Sequence, residues 1–219
     1  MRIQLISLFP EMFDGVLNSS MLFKAQKTKA VTFETINLRD YGQGNRKSVD
    51  DTPYGGGDGM LLMIEPMVNA IEFAKNNDPQ AKVLLPTPAG KRFVQSEAKK
   101  LAKTDQGLII LCPRYEGYDQ RIIEWVDQCY SIGNYVVTGG ELPALVIVDS
   151  VVRLLPGVLG GELSAEIESF QADDKMIEFP QYTRPEEFRG LKVPSILISG
   201  NHQQISNWRQ ANSSIDKDS

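Results

Sequence analysis

The chain has 219 residues, with 23 Lys and Arg against 28 Asp and Glu, a formal net charge of −5, two cysteines and one histidine. The apolar share, 42 per cent, is enough for a buried core. The acidic balance leaves only local basic patches, Lys24-Lys27-Lys29, Arg46-Lys47 and Lys91-Arg92, to meet a polyanion. Cys112 and Cys129, 17 residues apart, match no zinc spacing, and His202 alone makes no triad, so no metal ligand set is expected.

Taken in order, Ile3 to Phe9 reads as a strand stopped by Pro10, a helical pattern follows from Met21 to Lys27, and Val31 to Asn37 is a second strand. Leu38 to Gly59, rich in Gly, Asp and Arg, then breaks the pattern, as long functional or mobile loops do. Next come a helix from Pro66 to Lys75, a strand from Lys82 to Leu85, a turn over Pro86 to Gly90, and a helix from Val94 to Lys103. The apolar runs Leu108–Cys112 and Cys129–Ile132 each precede a turn of Gly, Pro or charged residues, as buried parallel strands do when they deliver functional groups at their C-terminal ends. Gly139-Gly140 precedes Glu141-Leu142-Pro143. Proline suits the first turn of a helix, and Pro156-Gly157 closes a mostly buried apolar helix of about 14 residues.

Alternating strands and helices predict an α/β domain with a parallel sheet over residues 1–160, a polar linker over 161–175, and a short appendage over 176–219 with one amphipathic helix carrying Ile205 and Trp208. Residues 161–219 hold 6 basic against 10 acidic residues. With no signal peptide and no run of about 18 apolar residues, a cytoplasmic protein with buried free thiols and no membrane contact is expected.

Gly55-Gly56-Gly57-Asp58-Gly59 has the wrong spacing for a dinucleotide fingerprint, and Leu85 and Arg92 stand where a P-loop needs Gly and Ser or Thr. His202 reads as a surface or helix-start residue. Asp149 and Arg153, four apart in an apolar helix, form either an ordinary ion pair or a site where the arginine is held toward an anionic or polar substrate. Glu116, in the turn after a strand, either binds a ribose-like diol or is a solvated loop charge.

SLFPEMF (7–13), VDDTPYGGGDGM (49–60), RYEGYDQR (114–121), SIGNYVVTGGELPA (131–144), RLLPGVLG (153–160) and YTRP (182–185) run over nearly the whole length. In these motifs the chain resembles the bacterial tRNA (guanine-N1)-methyltransferases of the knotted SPOUT superfamily. The resemblance implies a parallel-sheet domain with a deep trefoil knot, S-adenosylmethionine as methyl donor, a homodimer with a shared site, tRNA as partner, and a magnesium requirement. The acceptor it implies is the guanosine 3′ of the anticodon. By motif it assigns cofactor binding to Leu85, Pro86, Thr87, Tyr115, Glu116, Gly117, Ile132, Gly133, Tyr135, Val137, Gly139, Gly140 and Pro143. It places Asp50 and Gly59 at the substrate and Arg153 at the reacting guanine.

The family's proton-accepting Asp is Glu168 here, in SAEIESF (164–170), either the base or a solvated loop acid. Pro113, Asp58 and Gln181 stand where the family has Gly, Pro and His, and the chain ends short of the family's helical C-terminal domain. A divergent paralogue methylating another RNA or a small heterocycle, or an inactive cofactor-binding protein, are the alternative readings.

Overall fold

The computed structural model describes residues 1–159, 168–170 and 174–215. The chain divides into two compact units, Met1–Gly160 and Gly161–Ser219.

The first unit is built on β1 (Arg2–Ser7), α1 (Ser20–Lys27), β2 (Thr32–Asn37), α2 (Ile64–Asn77), β3 (Lys82–Arg92), α3 (Gln95–Ala102), β4 (Leu108–Leu111), β5 (Gln128–Ser131) and α4 (Glu141–Val152). The strands form one sheet in the order β2-β1-β4-β3-β5, parallel at every pairing. Side chains alternate between its faces. Ile3, Leu5, Leu84, Leu108 and Ile110 pack in one core with residues of α1, α3 and α4, while Ile6, Val83, Leu85, Ile109 and Leu111 pack in the other with α2. Burial on both faces explains why β4 reads LIIL without polar alternation.

Three details differ from the sequence expectation. The turn expected at Pro86 to Gly90 lies inside β3, which pairs with β5 through Leu84 to Pro86, shifts register, and pairs again at Lys91 and Arg92. Pro86 and Pro88 have no N–H to give to a ladder, so the chain bulges between them and Gly90 and then resumes. The 38–59 stretch is partly ordered. Asn37 caps a short 3-10 turn at Leu38–Tyr41 by accepting from the Arg39 N–H, and Asp50–Asp51 pairs antiparallel with Leu61–Leu62. Of the two thiols, Cys112 is buried but Cys129 is only half-buried, because it lies on β5, the edge strand of the sheet.

In the second unit α5 (His202–Asn212) begins at Asn201, whose side chain accepts from the Gln204 N–H at 3.1 Å. His202 is exposed at its first position. The unit is not solely helical: Glu187–Phe188 pairs with Leu191–Lys192, and Met176–Ile177 with Ser214–Ile215. No described residue of it is fully buried. Among the described residues, no helix is long and apolar enough to cross a membrane.

Candidate functional site

A cavity of about 360 Å³ opens at the C-terminal ends of β3, β4 and β5. Pro86, Thr87 and Pro88 from the β3 bulge form one wall, residues 113–118 after β4 the floor, and residues 130–140 with Pro143 of α4 the opposite wall.

The floor is held by backbone bonds to neighbouring elements. The Glu116 N–H donates to Met60 O at 3.1 Å, the Leu62 N–H to Gly117 O at 3.0 Å, and the Gly140 N–H to Pro113 O at 2.8 Å. Tyr115 sits in the left-handed region at φ +60°, an uncommon conformation for a bulky side chain. Its hydroxyl donates to Asp50 Oδ1 at 3.2 Å, and burial, followed by the Asp50 carboxylate, pushes its phenol above the usual range. The Tyr118 hydroxyl donates to Thr87 Oγ1 at 3.2 Å and so joins floor to wall.

Gly140 is required by close approach: a methyl group there would come within 2.4 Å of Pro113 Cδ. A methyl on Gly59 would lie 2.4 Å from Glu116 Cγ, so the glycine-rich loop ends against the side chain of a cavity residue.

Behind the glycine wall is a charged anchor. Glu141, fully buried in the first turn of α4, accepts from Ser7 Oγ at 2.5 Å. Its other oxygen lies 2.8 Å from Arg114 Nε, a close ion pair that lacks the alignment of a hydrogen bond. The Arg114 guanidinium also stands 4.7 Å from the centre of the Phe9 ring. Removing Arg114 would leave the Glu141 carboxylate buried without its counter-charge, a loss of about 3–5 kcal/mol.

All the residues assigned to the cofactor line the cavity except Leu85, which is fully buried in the α2-side core. Strand parity decides this: Leu84 and Leu85 must face opposite sides of the sheet. Asp50 and Gly59 join the cavity through Tyr115 and Glu116. Arg153 is half-buried at the C-terminal end of α4, where its N–H donates to Asp149 O at 3.1 Å, and Asp149 is exposed. Neither lines the cavity.

Glu168 belongs to the second unit and is half-buried. The residues that follow it are tied down, the Phe170 N–H donating to Met176 O at 2.6 Å and the Glu178 N–H to Ser169 Oγ at 3.0 Å. Residues 164–167 of the same motif, and 161–167 and 171–173 of the expected linker, lie outside the described residues.

The family model for tRNA (Guanine-1)-methyltransferase TrmD matches residues 1–217. The chain belongs to this family. The tRNA (guanine-N(1)-)-methyltransferase of Geobacillus kaustophilus is 51% identical over 215 residues, covering 97% of this chain and 86% of that protein. The Staphylococcus aureus protein of the same description is 50% identical, covering 95% and 84%. The crystal structure of tRNA (m1G37) methyltransferase from Aquifex aeolicus matches with a TM-score of 0.79 at 35% identity, over 95% of this chain and 87% of that one.

Within this family's framework the sequence reading overlooked Arg114, Glu141, Tyr130 and the Tyr115–Asp50 bond. One signal was available for Glu141, a carboxylate between two glycines and an apolar helix. The partners of the other groups are distant in the chain.

Proposed function

We propose that the chain is an S-adenosylmethionine-dependent methyltransferase that methylates N1 of the guanosine 3′ of the anticodon in tRNA. One observation carries this: the family motifs at 114–121 and 131–144 and the 86–88 stretch of the β3 bulge, far apart in sequence, converge on a single cavity of a size usual for small-molecule sites. The residues fit the cofactor. The Glu116 carboxylate would accept from ribose hydroxyls, Ile132, Tyr135, Val137 and Pro143 would offer apolar surface, and Gly139 and Gly140 would let the cofactor approach the backbone.

S-adenosylmethionine supplies an electrophilic methyl carbon. Neutral guanine has no free lone pair at N1, so a carboxylate must accept the N1 proton, and Glu168 has the functional group and the motif position. Arg153, which does not line this cavity, would orient the guanine in a site shared between two copies, while Asp50 and Gly59 belong to the loop that meets the RNA. Among the described residues no group of three or more His, Cys, Asp or Glu could hold a metal. Magnesium, which the resemblance implies, is usually bound through one or two carboxylates together with substrate oxygens and water rather than by an all-protein cage.

The trefoil knot and the homodimer belong to the same proposal. Leu142 and Val146 lie on one face of α4 and are 51% and 45% exposed, and Met12 and Val16 expose further apolar surface. A second copy would cover these side chains.

The test is calorimetric titration with S-adenosylhomocysteine beside methylation of unmodified tRNA. Binding heat and transfer to guanosine at that position, lost when the base is adenine, are expected. Binding without transfer to tRNA would overturn the acceptor, and absence of heat would overturn the reading of the cavity.

A further inference from the structure

Beside the β3 bulge lies a carboxylate that does not line the cavity. Glu97, in the first turn of α3, is only 5% exposed. Its Oε1 accepts from Lys100 Nζ at 2.6 Å and Lys91 Nζ at 2.9 Å, and its Oε2 from the Tyr130 hydroxyl at 2.9 Å. Lys100 first, then Lys91 and Tyr130, hold its carboxyl down to about 2 against the opposing effect of burial. Burial and the adjacent carboxylate push the Tyr130 phenol well above its ordinary value.

These partners sit at the base of the bulge. Tyr130 is the register partner of both Pro86, where the bulge opens, and Lys91, where it closes. A methyl group on Gly90 would come within 2.5 Å of Tyr130 N, so the closing strand lies directly on the Tyr130 backbone. The Phe93 ring meets the Tyr130 ring edge-on, with centroids 5.2 Å apart. Pro86, Thr87, Pro88 and Tyr130 all line the cavity.

A proline-containing bulge has lost the ladder that would otherwise fix its shape. The Lys91 and Lys100 side chains are 54% and 68% exposed, so their ion pairs with Glu97 add little net stability, and the buried contact is the hydrogen bond from the Tyr130 hydroxyl. Glu97 grips both the closing end of the bulge and the tyrosine on which the bulge is hinged.

We propose that Glu97 is a positioning residue that locks the 86–91 bulge and Tyr130 in the shape that receives the cofactor. This rests on the reading of the cavity as the S-adenosylmethionine site. Without the lock the bulge samples other shapes, and apparent affinity falls in proportion to the fraction that remains competent. If that fraction is about a tenth, Kd rises about tenfold.

The experiment uses Glu97→Gln, and Lys91→Met as a second variant that leaves the acid in place. Kd for S-adenosylhomocysteine, KM for cofactor and KM for tRNA are measured with the thermal midpoint. Both variants should raise Kd and the cofactor KM by about tenfold with the tRNA KM unchanged. The double variant should be no worse than the more severe single one, since one lock is broken once. Unchanged Kd in a folded variant, or effects that add, overturn the proposal.

Amide hydrogen exchange at Ala89, Gly90 and Lys91 reads the lock without ligand. It should quicken in both variants, and unaltered exchange also overturns the proposal. If the unmutated protein binds no S-adenosylhomocysteine while exchange quickens in the variants, the cofactor reading fails and the lock stands.

Discussion

The two units of the chain differ in what lies inside them. Every fully buried apolar side chain among the described residues belongs to the first unit, where two cores clamp a parallel sheet. In the second unit no described residue is fully buried, and its elements are two-residue ladders, a capped helix and ring contacts such as that of exposed Tyr182 with half-buried Trp208. The strands that lead into the cavity are held by close packing, whereas its wall residues Tyr135 and Val136 are 57% and 88% exposed. Glu168, in the second unit, precedes Ser169 and Phe170, which are tied to Glu178 and Met176. On the proposed roles, cofactor recognition should be robust to change in the second unit, and proton removal should not.

The largest effect should come from the acid itself. Glu168→Gln is expected to lower single-turnover methyl transfer by roughly 10² to 10⁴ with S-adenosylhomocysteine affinity nearly unchanged. Glu168→Asp, one methylene shorter, should preserve or raise the rate. Transfer at the unmutated rate in the glutamine variant would move the base elsewhere and break the division of labour between units.

Stability should divide the same way. Ile110→Ala, at a fully buried site in β4, should cost about 2–5 kcal/mol in denaturant unfolding of the first unit. Ile205→Ala, half-buried on α5, should cost less than about 1 kcal/mol on the same transition. Equal costs would show that the two units unfold as one.

The first unit keeps apolar surface exposed on α4, where a second copy would pack. Val146→Asp should convert a dimer into a monomer by sedimentation at micromolar concentration, with each protomer still folded. A dimer unaffected by this change would place the interface on another face.

The smallest effect is a pH dependence. Glu97 has a folded-state pKa of about 2 against an ordinary value of 4.5. A group depressed in this way stabilises the fold above its unfolded pKa, and the contribution is lost as pH falls from about 4.5 toward about 2. Glu97→Gln should flatten acid unfolding in that window and leave the neutral region without slope. An identical acid profile in the variant would show that other carboxylates dominate.

Much of the architecture could be read along the chain because its signals are local. Gly139-Gly140 followed by Pro143 marks a helix start that falls at Glu141, and the apolar run Leu108–Cys112 reads as a buried strand, which is found over Leu108–Leu111. The motif residues of the cavity walls were legible for the same reason, each group lying in a short run whose neighbours define it. Packing decided the rest. Ser7, Arg114 and Glu141 become one anchor only when the end of β1, the loop after β4 and the start of α4 meet. Glu97 reaches Tyr130 across 33 residues only when α3 folds over the β3 bulge. Leu85 turns into the core beside a Leu84 of identical composition because adjacent residues of a strand face opposite sides of the sheet. Backbone preference and apolar period are properties of neighbouring residues and can be read from order alone. Which charges share a buried space depends on strand register and helix placement, which exist only in the folded chain.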